Sequence, residues 1–236
     1  MDTEPGAPPP PSAPTQRAWR AVCPQCGADV SLRSAATPVA VCSFCRSTLA
    51  RDGESLKRLG RSAELFDDHS PLQIGTTGIW QGKTFTLVGR LQWRTPDSAW
   101  NEWVALFDIG SRGWLSEDNG RYVFAFDAAL PPQAPAAAEA TQTLKGWAPG
   151  ASVRLGDREW QVASVVEARV AAAEGELPQA PQLDAPVTVV DLRSATGDMA
   201  TLAADGQGVS WSVGRGAELV VLQLKGLRGE GPGTQT

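Results

Sequence analysis

The sequence predicts an all-β protein: a small zinc ribbon followed by a duplicated antiparallel domain that closes as a β-barrel or packs in a sandwich-like way. Three observations carry this. All four cysteines fall in two close pairs near the N-terminus. From Pro71 onward apolar residues recur with a period of two, the pattern of strands that bury one face. The 24 glycines and 18 prolines among 236 residues supply turns in numbers that a helical bundle does not need.

Residues 1–17, with the run Pro8–Pro11 and few apolar side chains, are expected to be an unstructured, partly polyproline tail. The ribbon occupies 18–51. Its spacing is Cys-x2-Cys-x15-Cys-x2-Cys through Cys23, Cys26, Cys42 and Cys45. Two residues between cysteines form a tight knuckle whose sulfurs converge, and two knuckles complete a tetrahedron with Zn–S distances of about 2.3 Å. Gly27 suits a turn with positive φ, and Val22, Val30, Val39, Val41 and Leu49 can pack around the site. A redox dithiol or two disulfides is the competing reading. No βαβ pattern surrounds either pair, and the N-terminus has no secretory signal, so metal is preferred. Four thiolates leave no position open for water or substrate, which makes the expected Zn²⁺ structural.

Residues 52–70 read as a linker. Leu56, Leu59, Leu65 and Phe66 suit a short amphipathic helix that Gly60 weakens, or else a flexible connector with one helical turn. Residues 71–130 form the first β unit. There Phe85, Leu87, Leu91 and Trp93 alternate with Thr84, Thr86, Arg90 and Gln92, which puts the first set in a core and the second in water. Trp103 to Phe107 and Tyr122 to Phe126 are further strands, and Asp118-Asn119-Gly120 supplies a type I′ hairpin that pairs Trp114-Leu115 with Tyr122-Val123. A Pro/Ala-rich connector follows at 131–149.

The second β unit, 150–228, repeats the plan. Trp160, Val162, Val166 and Val170 alternate, Val187 to Val190 form a buried run, and Asp205-Gly206 turns the chain before Trp211 and Val213. Laying Phe85 on Trp160 brings Gly120 onto Gly206 with 11 additional residues in the second copy, which sit in the Pro/Ala-rich loop 171–186. Leu219 to Leu224 closes the domain, and 229–236 is tail.

Charge is distributed unevenly. Residues 17–61 carry eight Lys or Arg against three acids, whereas 62–236 carry thirteen against twenty-one. The acidic body argues against wrapping the chain on nucleic acid, although Arg17, Arg20, Arg33, Arg46, Arg51, Lys57, Arg58 and Arg61 leave the ribbon basic. No apolar run reaches the roughly 18 residues of a membrane span, and a cytoplasmic location is expected.

Other features look chemical and read better as structure. Gly82-Lys83-Thr84 lacks the glycine that a phosphate loop needs at position 77, which is Thr77, so it reads as a hairpin turn. His69 is the only histidine and has no nucleophile or ligand partner, which makes it a linker residue. Glu117-Asp118 and Asp67-Asp68 read as solvated carboxylates. Trp80, Trp93, Trp100, Trp103 and Trp114 read chiefly as filling of a small core, with Trp100 the candidate for an exposed contact. No catalytic constellation is present in this reading, so no enzyme is expected.

The segments WQGKTFTLVGRLQW, WNEWVALFDIGSRGWLSEDNGRYVF and VVDLRSATGDMATL, with a closing LQLKGLR, resemble the bacterial family catalogued as domain of unknown function 4178, over about residues 71–228. The most specific part is Trp100, Glu102 and Trp103, followed by Trp114-Leu115 and the Gly120 turn. The resemblance implies no established enzymatic activity and an accessory or scaffolding role, with an N-terminal ribbon as a common companion. It also implies association with membrane-stress and polyamine-synthase-like systems. The second copy departs from the usual pattern at Met199 and Ala203, where larger or aromatic residues are more usual. Together these readings predict a non-enzymatic interaction or scaffold protein whose partner is another protein, with nucleic-acid binding through the basic ribbon as the alternative.

Overall fold

The computed structural model describes residues 18–62, 64–66 and 68–229. The tails expected at 1–17 and 229–236 lie outside the described residues, apart from Gly229.

The first β unit is an antiparallel meander of β6 (Thr77–Trp80), β7 (Lys83–Arg94), β8 (Ala99–Phe107), β9 (Arg112–Asp118) and β10 (Arg121–Asp127). Its turns follow local chemistry. Gln81 and Gly82 join β6 to β7 with φ of 50° and 77°, and Asn119 and Gly120 join β9 to β10 with φ of 48° and 76°. Positive φ at both central residues is the conformation that suits a twisted two-residue hairpin. The same strand order recurs in β11 (Ser152–Leu155), β12 (Arg158–Leu177), β13 (Val187–Arg193), β14 (Asp198–Ala204) and β15 (Val209–Ala217). Phe85 and Trp160 take corresponding places, each two residues past the start of its long strand and each buried.

The two meanders share one sheet. β10 pairs with β15 through Tyr122↔Ala217 to Asp127↔Ser212, and β7 pairs with β12 through Arg169↔Arg94 to Gly175↔Gly89. Following the hydrogen bonds from β12 through β13, β14, β15, β10, β9, β8 and β7 therefore leads back to β12, so the sheet partly closes into a ring. At one seam the backbones approach so closely that side chains are excluded. A Cβ on Gly89 would stand 1.9 Å from the Glu176 carbonyl oxygen, and one on Gly175, at φ +70°, would stand 2.2 Å from that of Val88.

Each half keeps its own core. Phe85, Leu87, Trp103, Phe107, Leu115 and Phe124 make the first, and the 219–228 segment closes over it, with Leu222 fully buried and accepting the Ile79 N–H at 2.8 Å. Trp160, Val162, Val190, Leu192, Leu202 and Trp211 make the second, capped by Ala140 and Leu144 of the short helix α1 (Ala140–Lys145) within the Pro/Ala-rich connector.

The simple alternation expected along the long strands is broken. A β-bulge between Leu87 and Gly89, and another between Val162 and Ser164, each add a residue, and an added residue exchanges the two faces of a strand. Beyond the first, Arg90 and Gln92 are buried instead of wet. Beyond the second, Val166 packs with Ala168, Val187 and Val189 instead of with Trp160.

The linker expectation at 52–70 is also corrected. β4 (Ser47–Asp52) and β5 (Ser55–Arg61) form an antiparallel hairpin closed by Asp52↔Ser55, with Gly53 at φ 59°. Leu56 and Leu59 are spaced as on a helix, but the Gly53-Glu54 turn and the neighbouring strand prevail; Leu56 is buried and Leu59 is 50% exposed. β3 (Val39–Val41) pairs with β4 on one side and with residues 175–177 of β12 on the other. The ribbon is thus sewn into the main sheet, while β1 (Trp19–Val22) and β2 (Asp29–Leu32) form a separate two-stranded piece. Among the described residues no helix is long and apolar enough to cross a membrane.

Candidate metal centre

Both cysteine pairs sit in the bends of hairpins, Cys23 and Cys26 between β1 and β2, Cys42 and Cys45 between β3 and β4. The two bends are built alike. In the first, the Cys23 N–H donates to the Ala28 carbonyl at 2.8 Å and the Gly27 N–H to the Cys23 carbonyl at 2.9 Å; in the second, Cys42 donates to Ser47 at 2.9 Å and Arg46 to Cys42 at 3.0 Å. The residue after each second cysteine takes positive φ, 76° at Gly27 and 58° at Arg46. Gly27 does so at no steric cost, whereas Arg46 carries a strain of about 1 kcal/mol or more that the knuckle must hold.

The sulfurs of Cys23 and Cys45 lie 3.7 Å apart, as do those of Cys26 and Cys42, and all four fall within 4.8 Å of one another. A tetrahedral ion with metal–sulfur bonds of about 2.3 Å has sulfur–sulfur edges of about 3.8 Å, so the cluster has the dimensions of a metal shell. The cysteines are free thiols, and their separation is far from the roughly 2.05 Å of a disulfide. The four can hold a metal ion, and no other group of three or more metal-ligating side chains occurs among the described residues.

Two of the four thiols are shifted in opposite directions. The Ser47 hydroxyl and amide draw Cys45 down to about 6. Cys26 is pushed up to about 12: the Ala28 amide works against this, but burial and the three neighbouring sulfurs together prevail. An all-sulfur donor set of this kind suits a borderline-soft divalent ion.

Trp19, Val30, Leu32, Leu49 and Leu56 pack with Cys23 and Cys42. Two of the expected supports lie elsewhere, because β3 also borders the ring: Val39 and Val41 pack on Val88, Val104, Leu106 and Ala173. Val22 is 58% exposed.

The other singled-out residues sort differently. His69 is exposed. Trp103 is fully buried, and Trp100 is half-buried and stacked on Trp93 at 5.8 Å and 4°, so it is not the exposed contact expected from its polar loop. Glu117 is not solvated: it accepts hydrogen bonds from Ser70 Oγ at 2.6 Å, Trp103 Nε1 at 3.0 Å, Asn101 Nδ2 at 3.2 Å and Tyr122 Oη at 3.2 Å. Asp68 likewise pairs with Arg90 and accepts from Asn101 Nδ2 at 2.8 Å. Arg90 lies over the Trp103 ring at 4.6 Å and, being buried, has its ordinary pKa lowered. This polar cluster ties Asp68 and Ser70 to β7, β8 and β9; alternation assigns Arg90 to water, and Asp68 and Glu117 read from the sequence as solvated linker and turn carboxylates.

The molecule is therefore a nearly all-β protein in which a ribbon-like module with a four-cysteine cluster that can hold a metal ion is joined edge to edge with a double meander that partly closes into a ring. Residues 73–218 match the family described as Domain of unknown function (DUF4178), and the chain belongs to that family. The matched stretch takes in both meanders, leaving the ribbon outside it. No curated protein and no solved structure shows significant similarity to the chain.

Proposed function

We propose that this protein is a non-enzymatic, cytoplasmic interaction or scaffold protein in which Cys23, Cys26, Cys42 and Cys45 hold a structural Zn²⁺ and the ribbon and ring together present a surface to another protein. One observation carries the reading: the four sulfurs already stand at tetrahedral spacing, so a bound ion is saturated by protein ligands and keeps no position for a substrate. The accessory role implied by the family resemblance points the same way. Metal analysis of purified full-length chain should return one zinc per chain, and cobalt substitution should give the absorption of a tetrahedral four-thiolate site. Affinity capture should recover a defined partner that is lost with Cys42→Ser. A chain free of zinc, or turnover of a substrate abolished by changing a polar residue of the ring, overturns the proposal.

A second reading has its own observation. Phe44, at the tip of the second knuckle, is 77% exposed, and Lys57, Arg58 and Arg61 are exposed on β5, which together offer stacking and phosphate contacts. It requires affinity for single-stranded DNA or RNA that falls steeply with salt and drops on Phe44→Ala; no binding at low salt disposes of it.

A further inference from the structure

Ribbon and ring meet along a groove of about 360 Å³, within the range of ligand-holding clefts at module boundaries. One wall is β2 with Arg33; the other is β3 with the Glu174–Glu176 stretch of β12.

Successive side chains of a strand point to opposite sides, yet Asp29, Val30, Ser31, Leu32 and Arg33 all line this groove. A strand whose consecutive residues border one cleft presents to it an edge and not a face. β2 pairs with β1 alone among the described residues, so its second edge, which no strand covers there, is the one turned to the groove, and the Arg33 and Ser34 N–H groups just past its end already donate to the Glu176 carboxylate.

The charges along the groove are unequally satisfied. Glu176 accepts the Arg33 N–H at 2.5 Å and the Thr37 hydroxyl at 2.6 Å, and Glu174 lies 3.5 Å from Arg90. The guanidinium groups of Arg33 and Arg46 have neither hydrogen bond nor ion pair among the described residues. Asp29, the remaining acid, stands at the opposite end of β2 from Arg33. Ile74, 39% exposed, and Val88 add an apolar floor.

We infer that this groove takes an extended acidic peptide as an added strand along β2, with carboxylates on Arg33 and Arg46. The inference rests on the interaction-module reading and names its partner's chemistry. A free strand edge offers alternating donors and acceptors at the spacing of another strand, which a peptide matches and a nucleic acid does not.

The test uses the full chain purified with its metal and a fluorescein-labelled decapeptide alternating valine with glutamate, followed by fluorescence anisotropy. Counterparts carry lysine or serine in place of glutamate. The glutamate peptide should bind at least tenfold more tightly than the lysine peptide. Arg33→Glu should weaken it at least tenfold and turn the preference towards lysine, an exchange that misfolding does not produce. Arg33 is the cleaner probe, since Arg46 also adjoins the cysteine thiolates. Equal binding of all three peptides, no binding of any, or displacement by a lower concentration of a single-stranded oligonucleotide overturns the inference. If no peptide binds while Arg33→Glu still captures the protein partner, the groove assignment falls and the interaction-module proposal stands.

Discussion

Replacing Glu102 by glutamine should stabilise the fold at neutral pH and flatten its pH dependence. Glu102 lies on β8, where it accepts the Trp93 indole N–H at 3.0 Å beside the stacked Trp93 and Trp100 rings. Burial pushes its carboxyl from 4.5 to about 7, Asp191 and Asp127 push the same way, and the indole bonds offset only part of this. In the unfolded chain the group ionises near its ordinary value. Between about 4.5 and 7 the folded state therefore binds more protons than the unfolded state, and stability falls as pH rises through that window. At 1.36 kcal/mol per pH unit, a shift of about 2.5 units corresponds to at most about 3 kcal/mol, less whatever water reaching the half-buried side chain recovers. Glutamine keeps the shape and the acceptor but does not ionise. Urea unfolding of both proteins at pH 5 and pH 8 isolates the effect, because every other titrating group is common to the two. The wild-type chain should lose more stability than the variant over this interval. Parallel pH profiles, or a variant less stable at pH 8, would refute the reasoning.

Chelation of the proposed Zn²⁺ should strip hydrogen-exchange protection from β1, β2 and both knuckles while leaving β8 and β13 protected, since each half of the ring has a core of its own; uniform loss across the chain would show that ring and cysteine cluster fold as one. Gly175→Ala should cost about 3 kcal/mol or more in chemical denaturation, because its Cβ meets the Val88 carbonyl at 2.2 Å, whereas Gly53→Ala, at φ +59° with open space around it, should cost about 1–2 kcal/mol. Equal effects would contradict the close seam. Arg90→Met leaves Asp68 and Glu174 in place without their buried cation and should destabilise the protein by about 3–5 kcal/mol. A loss under about 1 kcal/mol would mean that water already screens the cluster.

What could be read from the sequence was what local chemistry decides. The knuckles follow from cysteine spacing, and the Asn119-Gly120 turn follows from the φ values those residues tolerate. Gly53, at the first central position of the two-residue β4–β5 turn, carried a related signal, but the helical spacing of Leu56 and Leu59 obscured it. That both units share one ring, and where it closes, was not legible, because β7 meets β12 across some 80 residues of chain and the pairing depends on the bare backbones of Gly89 and Gly175. The burial of Arg90 and Gln92 was hidden for a related reason, whereas Glu117, near the end of β9, reads from the sequence as a turn carboxylate. A single added residue at Val88 reverses the facing of all that follows, and nothing in the alternation of side chains announces it.

β12 runs for 20 residues and is bonded in turn to β11, β13, β7 and β3. It works as a keel common to the cysteine-bearing module and the double meander, so the two are not beads on a string whose orientation drifts. Whatever grips one end is held at a fixed bearing to the other, and a pull on the ribbon is delivered as shear along the seam instead of being absorbed by slack chain.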